Sequence, residues 1–225
     1  MYAKYIKRPL DFCLSLMALI VLSPVLVILT IVGAIKMKGN PFFTQLRPGK
    51  DEKIFKLIKF RSMTFETDEN GNPLPDDQRL TKYGKILRET SLDELPELLN
   101  ILKGDMAIIG PRPQLVRDMV FMTPKQRKRH TVRPGLSGLA QVNGRNAILW
   151  ENKLNYDLQY IEKITFFGDI KIIFETFYRV FKHEDISEEG METAEDFGDY
   201  LLRTGKITQT EYDEKQEESK LLITQ

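Results

Sequence analysis

The sequence is poor in the residues that build disulfides and metal centres. Its 225 residues include a single cysteine, Cys13, which excludes an internal disulfide framework and a zinc site made of several cysteines. Only two histidines are present, His130 and His183, so we do not expect a metal centre built from histidine. With 42% hydrophobic and 29% charged residues, the composition is nevertheless that of a folded globular chain.

Several widespread functional motifs are also missing. The sequence has no G-x-x-x-x-G-K-[ST] phosphate loop, no G-x-G-x-x-G fingerprint, no H-E-x-x-H zinc motif and no G-x-S-x-G nucleophile elbow. It also has no recognition motif for nucleic acid. These absences exclude the commonest nucleotide-binding, metalloprotease and hydrolase patterns, and we expect no nucleic-acid partner.

The net charge of +1 conceals two parts of opposite charge. Residues 183–225 form an acidic tail with 13 acidic and 4 basic residues, whereas residues 1–182 carry 29 basic and 19 acidic residues. A basic body suits an anionic lipid surface. In the tail we predict a short helix near residues 193–202 and disorder towards the end.

Residues 12–35 form an apolar run without a single charge. As a straight helix the run would be about 36 Å long, enough to cross a hydrocarbon core of roughly 30 Å. Ser23-Pro24 falls at its midpoint, where proline removes a helical hydrogen bond that the Ser23 hydroxyl could partly replace. Lysines and arginines flank both ends, which favours keeping both ends in the cytoplasm. We therefore predict a re-entrant helix–break–helix with its break at Ser23 and Pro24.

Three other interpretations of this run stay open. A kinked helix that spans the bilayer is compatible with proline. A cleaved signal peptide fits less well, because the apolar run is too long and lacks a small-residue cleavage site. A buried core helix of this length is the least expected of the three.

The remaining body is predicted to be mainly helical with a small β element. Residues 41–47 and 54–63 resemble short strands on either side of a Pro48-Gly49 turn. Residues 95–102 have helical periodicity, and Gly104 is placed to end that helix. The predicted fold class is α/β, largely helical.

Asp93 and Glu94 are the most suggestive residues for catalysis. Adjacent carboxylates point in different directions, so they suit separate tasks such as a nucleophile and a metal ligand. A structural alternative stays open, because Ser91 and Glu94 also fit the S-x-x-E capping box at a helix start. Pro96 weakens that alternative, since proline belongs in the first helical turn.

Basic residues lie in loops rather than along helix faces. Turns shaped by glycine and proline hold the backbone rigid and let arginine forks meet phosphate oxygens. We therefore expect these loop cations to bind substrate phosphates together, namely Lys59, Arg61, Arg112, Arg133 and Arg145. Arg88, five residues before Asp93, is a further candidate. Taken singly, each of these cations is also compatible with a solvated surface residue.

An ordered set of motifs resembles the bacterial sugar transferase family, the monotopic polyprenyl-phosphate phosphoglycosyl transferases. The resemblance runs from about residue 7 to 182. It is carried by KRPLD (7–11), Ser23-Pro24, FTQLRPG (43–49), KFRSM (59–63), LRETSLDELPELLNILKGDMAIIGPRP (87–113) and RPGLSGLAQVNGRN (133–146).

The resemblance implies a monotopic membrane protein at the cytoplasmic face of the bacterial inner membrane. Residues 1–36 would form the re-entrant membrane hairpin and residues 37–182 a cytosolic catalytic domain, followed by the tail at 183–225. The implied reaction transfers a sugar-1-phosphate from a UDP-sugar to undecaprenyl phosphate and releases UMP.

The resemblance also implies roles for the two carboxylates. Asp93 would be the nucleophile that forms an aspartyl phosphosugar intermediate, and Glu94 would be a ligand of Mg²⁺. Two anionic substrates must approach an anionic nucleophile, so Mg²⁺ and the arginines have a charge to offset.

Within the family, the chain is similar to the small members that load N,N'-diacetylbacillosamine phosphate, which implies an N-acetylated sugar. One alternative is transfer of glucose or galactose phosphate for capsule or exopolysaccharide. Another is a non-catalytic membrane scaffold for polysaccharide assembly. Besides its substrates and membrane lipids, the expected partners are glycosyltransferases of the same pathway or a second copy of the chain.

Overall fold

A computed structural model describes residues 1–144, 148–182 and 195–224. A π-helical turn, Tyr2–Ile6, leads into the first of the α-helices. These are α1 (Lys7–Lys36), α2 (Asp76–Arg79), α3 (Lys82–Glu89), α4 (Glu97–Lys103), α5 (Val116–Met119), α6 (Pro124–Arg127), α7 (Leu139–Val142), α8 (Trp150–Glu162), α9 (Phe166–Lys182), α10 (Phe197–Arg203) and α11 (Gln209–Thr224). The strands are β1 (Phe42–Pro48), β2 (Ile54–Phe60), β3 (Ala107–Ile109) and β4 (Gly135–Ser137).

The strands form two small sheets, which confirms a largely helical fold with a small β element. Strands β1 and β2 form an antiparallel hairpin in the predicted region, with Phe42 opposite Phe60. Strands β3 and β4 pair in parallel, with Ile109 opposite Ser137. The inner face of β2 packs with α4 in a buried cluster that consists of Phe55, Leu57, Leu98, Ile101 and Met106.

The N-terminal apolar segment is helical on both sides of the predicted break at Ser23 and Pro24. Helix α1 continues through Ser23 and Pro24 to Lys36 without interruption. Pro24 has no N–H to donate to the Ile20 carbonyl, and the Ser23 hydroxyl donates to that carbonyl instead, at 2.8 Å. The Ser23 side chain thus replaces the lost backbone bond, as the sequence allowed, and a bend of the helix at Pro24 stays a prediction.

Helix α1 is attached to the body along both of its halves. Near its start, the Arg8 guanidinium donates to the carbonyls of Ile101 (2.6 Å) and Leu102 (2.9 Å). In its second half, the Tyr83 hydroxyl donates to the Leu29 carbonyl at 3.0 Å. Ala18, Leu19 and Leu22 pack against the buried cluster between these points.

Most of the apolar surface of α1 nevertheless faces outwards. Ile20, Val21 and Ile35 are each at least 65% exposed. Among the described residues, the stretch Tyr2–Lys36 is the one helix whose length and composition would let it cross a membrane. A single exposed apolar helix held against one body agrees with a monotopic membrane protein, and its re-entrant course stays a prediction.

The acidic tail is more ordered than its composition predicted. The predicted short helix is present as α10, although residues 183–194 lie outside the described residues. The predicted disorder is wrong for α11, which is helical from Gln209 to Thr224. Helix α11 is held by its Tyr212 ring, which stacks on Phe121 with 5.7 Å between the ring centroids, and α10 is held by Phe197 and Tyr200, which pack in a buried cluster with Trp150 of α8.

We expect Ser23→Ala to destabilise the protein by about 1 kcal/mol, because it leaves the Ile20 carbonyl without a donor. In a Pro24→Ala background the new backbone N–H supplies that bond, so the effect of Ser23→Ala should shrink towards zero. Thermal unfolding of the four variants in one detergent or nanodisc measures the difference. Equal effects of Ser23→Ala in both backgrounds would contradict the compensation.

Candidate active site

Asp93 and Glu94 lie on a tight turn between two helices. Ser91 adopts a left-handed backbone conformation (φ 55°) that ends the α3 segment and redirects the chain into a single 3-10 turn, Leu92–Glu94. The Ser91 side chain makes no capping hydrogen bond, and α4 begins only at Glu97. The capping-box interpretation is therefore wrong, and the two carboxylates are left for other contacts.

Glu94 is the centre of an ion-pair cluster drawn from three parts of the chain. Its Oε1 accepts a hydrogen bond from Lys59 Nζ of β2 at 2.8 Å. The same oxygen accepts from Arg112 Nη2, in the Gly110–Pro113 loop that follows β3, at 2.9 Å. Lys59 Nζ also lies 3.2 Å from Glu97 Oε1. The structure thus brings together Lys59, Arg112 and Glu94, which are far apart in sequence.

Glu97 is a third carboxylate of this cluster that the sequence analysis missed. Its side chain is almost fully buried and forms an ion pair with Lys59. A signal was present, because residues three apart on a helical segment face the same side, as Glu94 and Glu97 do.

The pKa values of the two adjacent carboxylates are shifted in opposite directions. Burial alone would raise the pKa of Glu94, but Lys59 and Arg112 outweigh it and hold that pKa well below its ordinary value. Burial, together with the neighbouring charge of Glu94, raises the pKa of Asp93 to about 6. Burial likewise raises the pKa of Glu97 to about 7.

Asp93 differs from its neighbour in its contacts as well. Among the described residues, none donates a hydrogen bond to the Asp93 carboxylate or forms an ion pair with it within 4.0 Å. Lys59, Arg112 and Arg88 act on it only through longer-range attraction, which lowers its pKa. Asp93 is therefore a partly buried carboxylate in a basic surrounding, without a hydrogen-bond partner among the described residues.

The other predicted phosphate-binding residues have different surroundings. Arg88 Nε donates to Ser62 Oγ at 3.1 Å, and its charge reaches Asp93. Arg61 donates to the Met37 carbonyl at the end of α1 and stacks on the Phe65 ring at 4.8 Å.

Arg133 lies at the far end of α4 from Glu97. Its Nε donates to the Gly104 carbonyl at 2.6 Å, beside the Arg8 guanidinium that binds the last carbonyls of the same helix. These cations complement the negative end of the helix dipole. Arg145 lies outside the described residues.

The chemistry of the cluster fits a magnesium ion. Mg²⁺ in nucleotide-dependent enzymes is held by one or two carboxylates together with substrate phosphates. Both cationic side chains bind Glu94 through Oε1, which leaves Oε2 as a hard oxygen ligand. In the described part of the chain, no three His, Cys, Asp or Glu residues converge as a complete metal cage. An ion here would therefore need phosphate oxygens as further ligands.

The match to known proteins covers the whole of this site. Residues 2–183 match the family model described as bacterial sugar transferase. The chain belongs to the bacterial sugar transferase family. This confirms the resemblance and makes the chain a transferase enzyme, while most of the acidic tail lies beyond the matched region.

Several named sugar transferases are similar in sequence to most of this chain. The uncharacterized sugar transferase EpsL of Bacillus subtilis is 45% identical over 192 residues, which is 85% of this chain and 95% of EpsL. The UDP-glucose:undecaprenyl-phosphate glucose-1-phosphate transferase of Klebsiella pneumoniae is 40% identical over 78% of this chain. An N-acetylgalactosaminephosphotransferase of Aeromonas hydrophila that acts on undecaprenyl phosphate is 36% identical over 76% of this chain. The chain spans 40% and 43% of the lengths of these last two proteins.

We expect Glu97→Gln to stabilise the protein in a pH-dependent way. A pKa raised to about 7 means that wild-type stability falls as the pH rises from about 4.5 through about 7. The variant avoids this loss, so its advantage should grow to at most about 3 kcal/mol at pH 8 and vanish near pH 4.5. Thermal unfolding of both proteins between pH 5 and pH 8 measures it.

The matched control is Glu217→Gln, a change at an exposed carboxylate of α11 that pairs with Lys220. Its stability difference from wild type should not vary over the same pH range. A difference for Glu97→Gln that is constant from pH 5 to pH 8 would contradict the buried, proton-binding state of Glu97.

Proposed function

We propose that the protein transfers a sugar-1-phosphate from a UDP-sugar to undecaprenyl phosphate, releasing UMP, through a covalent intermediate on Asp93. The proposal rests on one observation, the contrast between two adjacent carboxylates. Glu94 is held ionised by two cations, whereas Asp93 has no hydrogen-bonded partner among the described residues. The names of relatives that use undecaprenyl phosphate support the same reaction.

The first half-reaction is a substitution at the sugar-bearing phosphorus of the donor. An Asp93 oxygen forms a bond to this phosphorus while the bond to the bridging diphosphate oxygen breaks, and UMP leaves with that oxygen. Because the pKa of Asp93 is about 6, the carboxylate is ionised and nucleophilic at neutral pH. The product is a mixed anhydride of Asp93 and the sugar phosphate.

The second half-reaction regenerates the enzyme. An oxygen of undecaprenyl phosphate attacks the same phosphorus, and the bond to Asp93 breaks to restore the carboxylate. The product is undecaprenyl diphosphate sugar. UMP leaves before the lipid reacts, so the two-step route implies ping-pong kinetics.

The surrounding cations offset charge that the substrates bring. The Arg112 side chain is 40% exposed while its Nη2 binds Glu94, and its other N–H groups would bind a phosphate of the donor. Arg88 adds positive charge near Asp93. When bound, Mg²⁺ held by Glu94 would neutralise the donor diphosphate and the departing UMP.

The fold supports an acceptor that is embedded in lipid. Helix α3 contacts α1 through Tyr83 and carries Arg88, and the Asp93 turn follows within a few residues. Helix α3 therefore connects the contact with α1 at Tyr83 to the turn that carries Asp93. We place the reaction at the cytoplasmic face of the bacterial inner membrane, where basic residues on both flanks of α1 would stay.

The donor sugar has two candidates. An N-acetylated sugar follows from the resemblance to small members of the family, and the Aeromonas relative is named for such a sugar. A hexose is favoured by relatives named for glucose and for galactose. UMP release from a panel of UDP-sugars, with undecaprenyl phosphate and Mg²⁺, separates the two. Release from no donor would support a non-catalytic scaffold instead.

We expect Asp93→Asn to abolish both turnover and the covalent intermediate, because the amide cannot form the acyl phosphate. Intact-protein mass spectrometry after mixing with donor alone should show the phosphosugar adduct on wild type and none on the variant. Turnover of purified Asp93→Asn near the wild-type rate would refute Asp93 as the nucleophile.

We expect Glu94→Gln to lower the rate and to raise the Mg²⁺ concentration needed for half-maximal activity by at least about tenfold, since it loses a charged ligand. The matched control is Glu97→Gln, which also removes a carboxylate from Lys59 but makes no contact with Arg112. Its Mg²⁺ dependence should match that of wild type. If Glu94→Gln keeps both its rate and its Mg²⁺ dependence, Glu94 is not the ligand.

A further inference from the structure

The loop that carries Arg112 is anchored through three consecutive carbonyls. The Gly135 amide donates to the Pro111 carbonyl at 2.9 Å. The Arg129 guanidinium donates to the Arg112 carbonyl through Nη2. Arg47 Nη1 donates to the Pro113 carbonyl at 3.3 Å. The middle anchor is a charged side chain that binds the backbone of the very residue whose side chain binds Glu94.

Arg129 is itself fixed by a buried ion pair with helix α8. Its Nε and Nη2 lie 2.8 and 2.7 Å from Asp157 Oδ2. Both side chains are no more than 2% exposed. Such a pair is costly to desolvate and is often no more stabilising than apolar residues of the same size. Its geometry therefore calls for a reason other than stability.

His130 completes the surroundings of the guanidinium. Its Nε2 lies 3.3 Å from Arg129 Nη1 and accepts from it, so the ring proton is assigned to Nδ1. Burial, with Arg129 and Arg127 nearby, lowers the pKa of His130 to about 3, which keeps the ring neutral. All three nitrogens of the Arg129 guanidinium thus have partners, and its orientation is determined.

The backbone on either side of Arg112 has little freedom, so the hydrogen bond from Arg129 determines how the Arg112 carbonyl is oriented. Pro111 and Pro113 restrict the chain before and after Arg112, because each proline fixes its own φ and limits its predecessor. The remaining freedom is rotation of the Arg112 peptide unit, and the bond from Arg129 to its carbonyl fixes that rotation.

We propose that Arg129 and Asp157 are positioning residues for the transfer reaction, which hold the Arg112 guanidinium beside Glu94 and towards the donor diphosphate. This inference rests on the proposed function. It connects α8 to the active site by the path Asp157, Arg129, Arg112 carbonyl, Arg112 guanidinium and Glu94. Neither residue touches substrate, so each acts through Arg112.

Arg129→Lys tests this path, because lysine keeps the charge but lacks the fork that binds Asp157 and the Arg112 carbonyl together. We expect kcat/KM for the UDP-sugar to fall about 10- to 100-fold, the loss that follows from small misplacement of a binding group. Most of the loss should be in donor KM. Asp157→Asn is the milder second variant should Arg129→Lys fold poorly.

Two changes on α8 serve as controls. Glu151→Gln breaks an ion pair on the same helix, with Lys206 of the tail, without touching Arg129. Leu154→Ala removes a buried side chain from the cluster with Phe197 and lowers thermal stability. Both should retain the wild-type kcat/KM at a temperature where they are folded.

The deciding measurement is a double-mutant cycle with Arg112→Ala. If Arg129 acts through Arg112, Arg129→Lys should cause no further loss in the Arg112→Ala background. Because Arg112→Ala itself lowers turnover, the cycle is repeated on the donor Kd by titration calorimetry with Mg²⁺ in an Asp93→Asn background.

The outcomes separate this inference from the proposed function. An equal loss from Arg129→Lys in both backgrounds, or an equal loss of kcat/KM in Leu154→Ala, would show that the pair only stabilises the fold. An active wild type with an unaffected Arg129→Lys variant would overturn the inference and leave the proposed function intact. Absence of UMP release from wild type with every donor would overturn the proposed function itself.

Discussion

The arrangement of the catalytic body depends on one carboxylate oxygen, Glu94 Oε1, which two cations share. Lys59 comes from the β1–β2 hairpin, Arg112 from the loop after β3, and Glu94 from the turn between α3 and α4. Three segments that are distant in sequence therefore meet at one atom. The contact also separates the pKa values of the two neighbouring carboxylates. Lys59 and Arg112 lower the pKa of Glu94, whereas burial and the charge of Glu94 raise the pKa of Asp93.

In the proposed reaction this cluster is both structural and reactive. A buried carboxylate with two cationic partners is well satisfied and contributes order. Its neighbour Asp93 on the same turn has no such partners among the described residues, as the proposed bond formation requires. Adjacent positions on a 3-10 turn project in different directions, and that geometry lets one carboxylate be fixed while the next makes no ion pair.

The sequence predicted features that depend on local patterns and missed those that depend on distant contacts. The β1–β2 hairpin and the helix end at Gly104, which has the left-handed conformation (φ 96°), follow from turn residues and periodicity. The pairing of Lys59 with Glu94 joins residues 35 apart, and no spacing rule reveals it. The contact of Arg133 Nε with the Gly104 carbonyl at the end of α4 likewise joins residues far apart in sequence, and phosphate binding by Arg133 stays a prediction.

The predicted disorder at the end of the tail failed for the same physical reason. The acidic composition suggested disorder there, but Tyr212 of α11 stacks on Phe121, and α10 before it packs on α8 through Phe197 and Tyr200. A few side chains with distant partners thus override a property averaged over a segment.

The scarcity of cysteine has a practical consequence. Cys13 is the sole cysteine of the sequence and is exposed near the start of α1, one turn after Arg8 binds the end of α4. A thiol-reactive fluorophore would therefore attach at one native position on the apolar helix, without mutagenesis. Quenching of that fluorophore by lipids brominated at different depths would report how far the first turns of α1 enter the bilayer.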